Sequence, residues 1–202
     1  MAVNVAPTKA NLIKAKNALA LSQKGFELLD KKRNVLIREI MALIDKAKDL
    51  HDKMDKAFAK AYQALMVANI TLGIQNVHEI AYSIPRDEEF EILVKSVMGV
   101  DIPSIIYEKK ELKPSYAFHR TNSALDIAVM EFQEIKYLIY ELAEVENSIY
   151  KLAKEIEKTT KRANALDNIQ IPKYEAQVKY IEEVLEEKER EEFFRLKRLK
   201  KG

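Results

Sequence analysis

Stepping alternately by three and four residues from Leu12, the chain meets Leu12, Ala15, Leu19, Ser22, Phe26, Leu29, Arg33, Leu36, Ile40, Leu43, Ala47, Leu50, Met54, Ala57, Ala61, Ala64 and Ala68. Only Ser22 and Arg33 interrupt the apolar series. A seam of period 3.5 held over this length predicts one helix of a left-handed coiled coil. Thr8 is placed to cap it and Gly73 to stop it. At 1.5 Å per residue such a helix would run roughly 100 Å, against ~11 to 12 residues for the mean globular helix.

The C-terminal part repeats the rule. Leu138, Leu142, Val145, Ile149, Leu152, Ile156, Thr159, Ala163 and Leu166 keep the alternation, position 170 is Gln, and the series resumes at Tyr174, Val178, Ile181 and Leu185 in a shifted phase. The steps from Leu166 to Gln170, Tyr174 and Val178 are all of four, which marks a stutter that locally unwinds a supercoil. Pro172 falls inside it. A proline within a helix removes a donor and clashes with the preceding turn, costing ~3 kcal/mol. A local unwinding or kink near 168–174 follows, with helix on either side.

Between the seams the grammar changes. Phe90, Ile92 and Val94 alternate with Glu91, Leu93 and Lys95, Met98-Gly99 reads as a turn, and Val97, Val100, Ile102 and Ile106 continue the pattern. Period-two alternation with a glycine turn favours a β-hairpin over about 89–107. An amphipathic helix over 87–98, capped by Asp87 and stopped by Gly99, is the other reading. Neither form could bury its apolar face on a slender coiled coil alone, so a partner covering it is inferred. The fold class expected is therefore mainly α. It is a long antiparallel two-helix left-handed coiled coil with a small insert at the end distant from the termini. The first helix covers 1–75, the insert 76–117 and the second helix 118–202. Prolines 85, 103 and 114 punctuate the insert.

Composition agrees. Charged residues make up 33% of the 202 residues, with four glycines and no tryptophan, the usage of long helices rather than of a compact globule. The 34 basic and 32 acidic residues are interspersed, which argues against a phosphate-neutralising surface and so against nucleic acid as a partner. Without cysteine there is no disulfide framework, thiolate zinc site or cysteine nucleophile. The N-terminal stretch lacks the apolar core of a signal peptide, and no run approaches ~18 apolar residues, so direct membrane insertion is not expected.

Candidate chemistry is sparse. His51, His78 and His119 share no ligand spacing, and no phosphate-binding glycine loop or HExxH motif appears. Acidic pairs such as Glu186-Glu187 read as solvated charges on a helix that offers no pocket to shift their pKa. No catalytic residue, cofactor site or metal site is expected. Arg33 in the seam reads in two ways: its stem packs while the guanidinium reaches water, or it pairs with Glu157 or Asp167 and fixes the register. The C-terminal stretch carries seven glutamates between 182 and 192, then Arg195, Lys197, Arg198, Lys200 and Lys201. These bases complement the helix macrodipole. Alternatively they enter an acidic cavity of a partner beside Lys9, Lys14 and Lys16, with Arg190, Phe193, Phe194, Leu196 and Leu199 adding contacts.

Three stretches resemble one family, the central-stalk D subunit of V-type and archaeal-type rotary ATPases. "KGFELLDKKRNVL" is similar to its first-helix motif through Gly25, Leu28, Leu29, Lys32 and Arg33, with Asp30 and Asn34 as departures. "KRANALDNIQIP" is similar to its second-helix signature through Arg162, Asn164, Ala165, Leu166, Asp167, Ile171 and Pro172, Asp167 standing for a Glu. "EEKEREEFFRLKRLK" resembles its acidic-then-basic ending. "MGVDIP" resembles its hairpin turn, with Ile102 inserted.

The resemblance implies a non-catalytic rotor axle that carries torque between the nucleotide chemistry of a hexamer and ion translocation in a membrane ring. Both chain ends would sit inside the hexamer of catalytic and regulatory subunits. The insert (Phe90, Ile92, Val94, Val97, Val100, Ile102, Ile106) would bind the small F subunit. The lower end would dock on the funnel-shaped subunit above the ring. The location implied is cytoplasmic and peripheral to the membrane. The alternatives are a coiled-coil scaffold or tether without a rotary partner, and a peripheral stator rod, which should lack a folded insert. Co-purification with an ATPase hexamer separates these readings.

Overall fold

The computed structural model describes residues 5–84, 90–109, 116–117 and 121–200. Helix α1 spans Lys9–Leu72, α2 Ile74–Ser83, strands β1 Glu91–Val97 and β2 Val100–Ile106, α3 Ser123–Ala165 and α4 Ile171–Leu199, with a π-helical turn at Leu166–Gln170 joining α3 to α4. The fold is an antiparallel coiled coil with a β-hairpin insert, as the seams predict. It divides into two compact units, Met1–Ile37 with Glu155–Gly202, and Arg38–Lys154. Among the predicted features, Pro85, Asp87, Pro114, His119 and Lys201 lie outside the described residues.

Helix α1 starts as its sequence prescribes. The Asn11 N–H donates to Thr8 Oγ1 at 3.2 Å and the Leu12 N–H to Thr8 O at 2.9 Å, so the hydroxyl satisfies one of the donors a helix start leaves open. Every seam position from Leu12 to Ala68 is buried or partly buried, and Leu36, Ala61 and Ala68 are closed to solvent. Each Leu so enclosed contributes ~1.5–3 kcal/mol relative to exposure. Ser22, the first polar interruption, donates its hydroxyl to Ala18 O at 2.8 Å and so needs nothing from across the seam.

In the unit Arg38–Lys154, α1 and α3 pair antiparallel. Leu50 packs with Leu142 and Val145, flanked by Leu43, Ala47, Met54, Leu138 and Ile149. Toward the end of α1, Ala68, Val77 and Leu125 form a second core with Leu65, Leu72, Ile80 and Tyr116. Gly73 closes α1 and opens α2: its N–H donates to Asn69 O at 3.0 Å and its carbonyl accepts from Val77 N at 3.2 Å. Its φ of 84° lies where a side chain is strained, although a Cβ there would touch nothing within 4 Å. The segment after Gly73 is helical, because Val77 and Ile80 form an apolar stripe onto Ala68 and Leu125. Asn122 caps α3, accepting from the Leu125 N–H at 3.1 Å, and its amide donates to Thr71 Oγ1 at 2.6 Å. One side chain thus ties the start of α3 to the end of α1.

Strands β1 and β2 form an antiparallel hairpin with Val97 opposite Val100 and Glu91 opposite Ile106. Met98 and Gly99 both have positive φ (52° and 77°), the conformation a two-residue turn needs to match strand twist. The alternative helix is not adopted over the described part of its range, where Glu91–Val97 is strand. The hairpin does find cover within the chain: Val100 and Ser104 are buried, and the strand lies against α3.

In the other unit, α1 pairs antiparallel with the end of α3 and with α4. Thr159, Ala163 and Ile181 are enclosed. The helix passes through Pro172 unbroken. The π-helical turn precedes it, with the Ile171 N–H bonded to Leu166 O, five residues back. The phase shift in the sequence is this wider turn.

Candidate functional site

Three surfaces carry side chains that the pairing of helices leaves unused. The first is the end of α4. Lys9 Nζ meets Glu189 at 3.0 Å and Lys16 Nζ meets Glu182 at 2.7 Å, two bridges one heptad apart. Since Lys9 opens α1, the turns of α4 beyond Glu189 run past the last helical residue they could pack on. That is why Phe193 and Phe194, each 64% exposed, and Leu196 and Leu199 stand in solvent. The rings of Phe193 and Phe194 touch edge-on at 6.4 Å. Arg190 and Arg195 bridge to Glu186 (3.2 Å) and Glu191 (3.6 Å) one turn earlier, and Lys197 and Arg198 occupy the last turn, where they complement the macrodipole. Lys9 and Lys16 are therefore neutralised beside the acidic stretch instead of standing with the basic residues, while Lys14 is exposed on α1. The expected single basic cluster resolves into a charge-paired collar and an apolar, basic tip.

The second surface is the hairpin. Ile105 N–H donates to Glu144 Oε2 at 2.7 Å and Ser104 Oγ to Glu144 Oε1 at 3.4 Å, so one carboxylate of α3 holds the outer edge of β2. Pro103, two residues before Ile105, has no N–H to offer on that edge. Tyr107 stacks on Tyr137 (5.2 Å, 14°) and leans on Tyr140 (5.5 Å), which Phe90 also meets at 5.4 Å. The Tyr107 hydroxyl donates to Glu141 at 3.1 Å, and burial, then the Glu141 charge, push the phenol above its ordinary pKa. The strand register divides six of the seven insert residues between two faces. Ile92 (60% exposed) and Val94 (65%) point outward with Pro103 and Ile105, while Val97, Val100, Ile102 and Ile106 share the other face with buried Ser104. Phe90 is used internally against Tyr140.

The third surface, which sequence reasoning missed, is a shallow apolar depression lined by Tyr62, Leu65, Met66, Asn69, Ile70 and Ile74. Ile70 and Ile74 are about three-quarters exposed. The signal was present as apolar residues on the α1 face opposite the seam, where a solvated helix carries charge.

The motif residues are divided between the seam and the solvent-facing sides of α1 and its partner. Gly25 faces Leu166, and Lys32 reaches Glu155 at 2.9 Å, which holds the Glu155 carboxyl below its ordinary range chiefly through that hydrogen bond. Arg33 settles on Asp30, one turn back on its own helix, and Asp30 also accepts from Asn34 at 3.2 Å. The pairing with Glu157 or Asp167 is not the one formed: Glu157 bridges to Lys161, and the ion pair that crosses between helices here is Lys32–Glu155. The register places Glu155 beside Lys32. Leu28 points to solvent and Leu29 into the seam. Asn164 and Asp167 are exposed on the second helix.

His51 meets Glu146 at 3.3 Å and His78 packs edge-on against Tyr82 at 4.9 Å. Among the described residues no group of three His, Cys, Asp or Glu is arranged to hold a metal, and no helix is long and apolar enough to cross a membrane.

The fold so defined is one of paired helices with a β-hairpin insert, its exposed apolar side chains gathered on surfaces. The family model for the D subunit of ATP synthase matches residues 11–201, and the chain belongs to that family. It is 46% identical over 198 residues to the V-type ATP synthase D subunit of Thermotoga neapolitana, covering 98% of each chain. It is 40% identical over 201 residues to the A-type ATP synthase D subunit of Pyrococcus furiosus, covering 98% of this chain and 94% of that one. The protein is thus one component of a V/A-type rotary ATPase, a multi-subunit complex coupling ATP chemistry to ion transport.

Proposed function

We propose that this chain is the axle of the central stalk, a non-catalytic rotor that carries torque between the catalytic hexamer and the ion-translocating ring. The observation that carries the reading is the continuous burial of the seam on α1, from Leu12 to Ala68. An axle has to resist twisting, and the interdigitated seam within each unit supplies stiffness there. A rotor tip also has to turn against its bearing, and hydrated charge around Arg195, Lys197, Arg198 and Lys200 prevents the deep interlocking that would seize it.

The three surfaces are assigned to three partners. The tip, with Phe193 and Phe194 between Arg190 and Arg195, enters the cavity of the catalytic and regulatory subunits. The outward hairpin face of Ile92 and Val94 receives the small F subunit. The apolar depression around Tyr62, Met66, Ile70 and Ile74 seats on the funnel-shaped subunit above the ring. The chain then resides on the cytoplasmic side, peripheral to the membrane.

Neutralising Arg195, Lys197, Arg198 and Lys200 together tests the reading in the reconstituted complex. Assembly should persist while ion pumping per ATP hydrolysed, or ATPase-driven rotation, falls. Unchanged coupling would leave these bases as helix caps only. A chain that co-purifies with no ATPase hexamer would instead be a tether.

A further inference from the structure

From Leu166 onward the second seam holds one residue more than alternate steps of three and four allow. Strict stepping reaches 170, 173, 177, 180 and 184, whereas the apolar positions are Tyr174, Val178, Ile181 and Leu185. The α1 seam has no such interruption, so the extra residue must be absorbed on this helix alone. Wound as ordinary α-helix, it would turn every later side chain by roughly 100° away from α1. Yet Ile181 is fully enclosed and Tyr174, Val178 and Leu185 are partly buried. The turn at Leu166–Gln170 accounts for the difference: Ile171 bonds Leu166 O across five residues, and one turn takes up the surplus without rotating the helix beyond it.

Pro172 explains where that turn sits. In an α-helix its ring would press on the carbonyl of Asn168 and leave that oxygen without its donor. A widened turn just before the proline relieves the contact, and any other position for the extra residue would restore it. The residues around the turn, from Asp167 to Ile169 and from Pro172 to Lys173, are exposed, so water can serve the carbonyls that the helix does not.

We propose that Leu166–Gln170 is a one-residue register insert pinned by Pro172, and that it is the yielding point of this helix. The distal segment moves about it while the seam on both sides stays closed. This rests on phase and hydrogen bonding within the chain and stands apart from the axle reading.

Thermal unfolding and amide hydrogen exchange on the full chain test it with three variants. Deleting Asn168 together with Pro172→Ala leaves a strict heptad and an all-α helix. It should melt at or above the parent's midpoint, with exchange across the former turn slowed about tenfold or more. Deleting Ala153, where no surplus exists, puts Ile156, Thr159, Ala163 and Leu166 out of phase and should lower the midpoint by about 5 °C or more. Pro172→Ala alone should keep the midpoint while fast exchange spreads beyond 166–170, because the insert is no longer pinned. The proposal is overturned if the Asn168 deletion costs as much as the Ala153 deletion. It is equally overturned if the fast-exchanging residues in Pro172→Ala remain confined to 166–170.

Discussion

Gly25 stands opposite Leu166, the first residue of the π-helical turn, and a Cβ built on Gly25 would lie 3.5 Å from Leu166 Cδ1. That is ordinary contact distance, so there is room for a methyl and for little more. Gly25→Ala should therefore be neutral or stabilising by up to ~1 kcal/mol, since glycine within a helix is the less favourable residue. Gly25→Leu should cost about 1–3 kcal/mol through overpacking. Urea titrations followed by helical circular dichroism compare the two.

Lys32 and Glu155 are about three-quarters buried, so their bridge is less screened than those at the surface. Because the Glu155 carboxyl is held below its ordinary pKa, its contribution is present above the unfolded-state pKa and is lost as pH falls through the folded one. Glu155→Gln should destabilise by about 0.5–1 kcal/mol at neutral pH. The gap between the two proteins should close in acid. Melting both across pH 2–7 measures it, and a gap independent of pH would refute the assignment.

Glu144 holds β2 through the Ile105 amide at 2.7 Å. Glu144→Ala should speed exchange of that amide and loosen the hairpin, at about 1.5–3 kcal/mol for a hydrogen bond to a charged group. Glu144→Gln should recover part of it. Exchange mass spectrometry of the hairpin peptide is the measurement.

Met98 adopts φ 52° at the first turn position. Asn accepts that conformation more readily. Met98→Asn should stabilise the hairpin by several tenths of a kcal/mol to about 1 kcal/mol, read as slower exchange of the paired strand amides.

Tyr116 donates its hydroxyl to Asp126 at 2.6 Å, and burial with that bond pushes its pKa up to about 12. A raised pKa means stability that is complete below the ordinary tyrosine value and is lost as pH rises toward the folded one. The parent should lose stability relative to Tyr116→Phe between about pH 10 and 12. Alkaline melts, with tyrosinate absorbance at the same pH values, test the sign.

Much of this was legible along the chain because a coiled coil writes its contacts at fixed spacing. Each seam residue named from the pattern is at least partly buried, Thr8 caps, Gly73 stops, and Met98-Gly99 turns. Arg33 was harder. Period placed it in the seam, but which acid it meets depends on the register between helices, and the nearby Asp30 wins because a partner one turn away needs no cross-helix alignment. The latch of Glu144 and the tyrosines could not be found by spacing, since residues 104–107 and 137–144 meet only when the hairpin lies along α3. Asn122 likewise carries no local signal of its contact with Thr71, which lies 51 residues away along the chain.

The sequence alone determined which residues line the seams, how far the seams run, and that the second carries one residue too many, because local period is a property of the chain. The tertiary structure decided the rest. Only packing against an uninterrupted α1 turned the surplus residue into a π-helical turn before Pro172. Only the end of α1 at Lys9 left Phe193 and Phe194 in water, and only the strand register divided Ile92 and Val94 from Val100. Each of these outcomes depends on a neighbour distant in sequence, whose position no local pattern encodes.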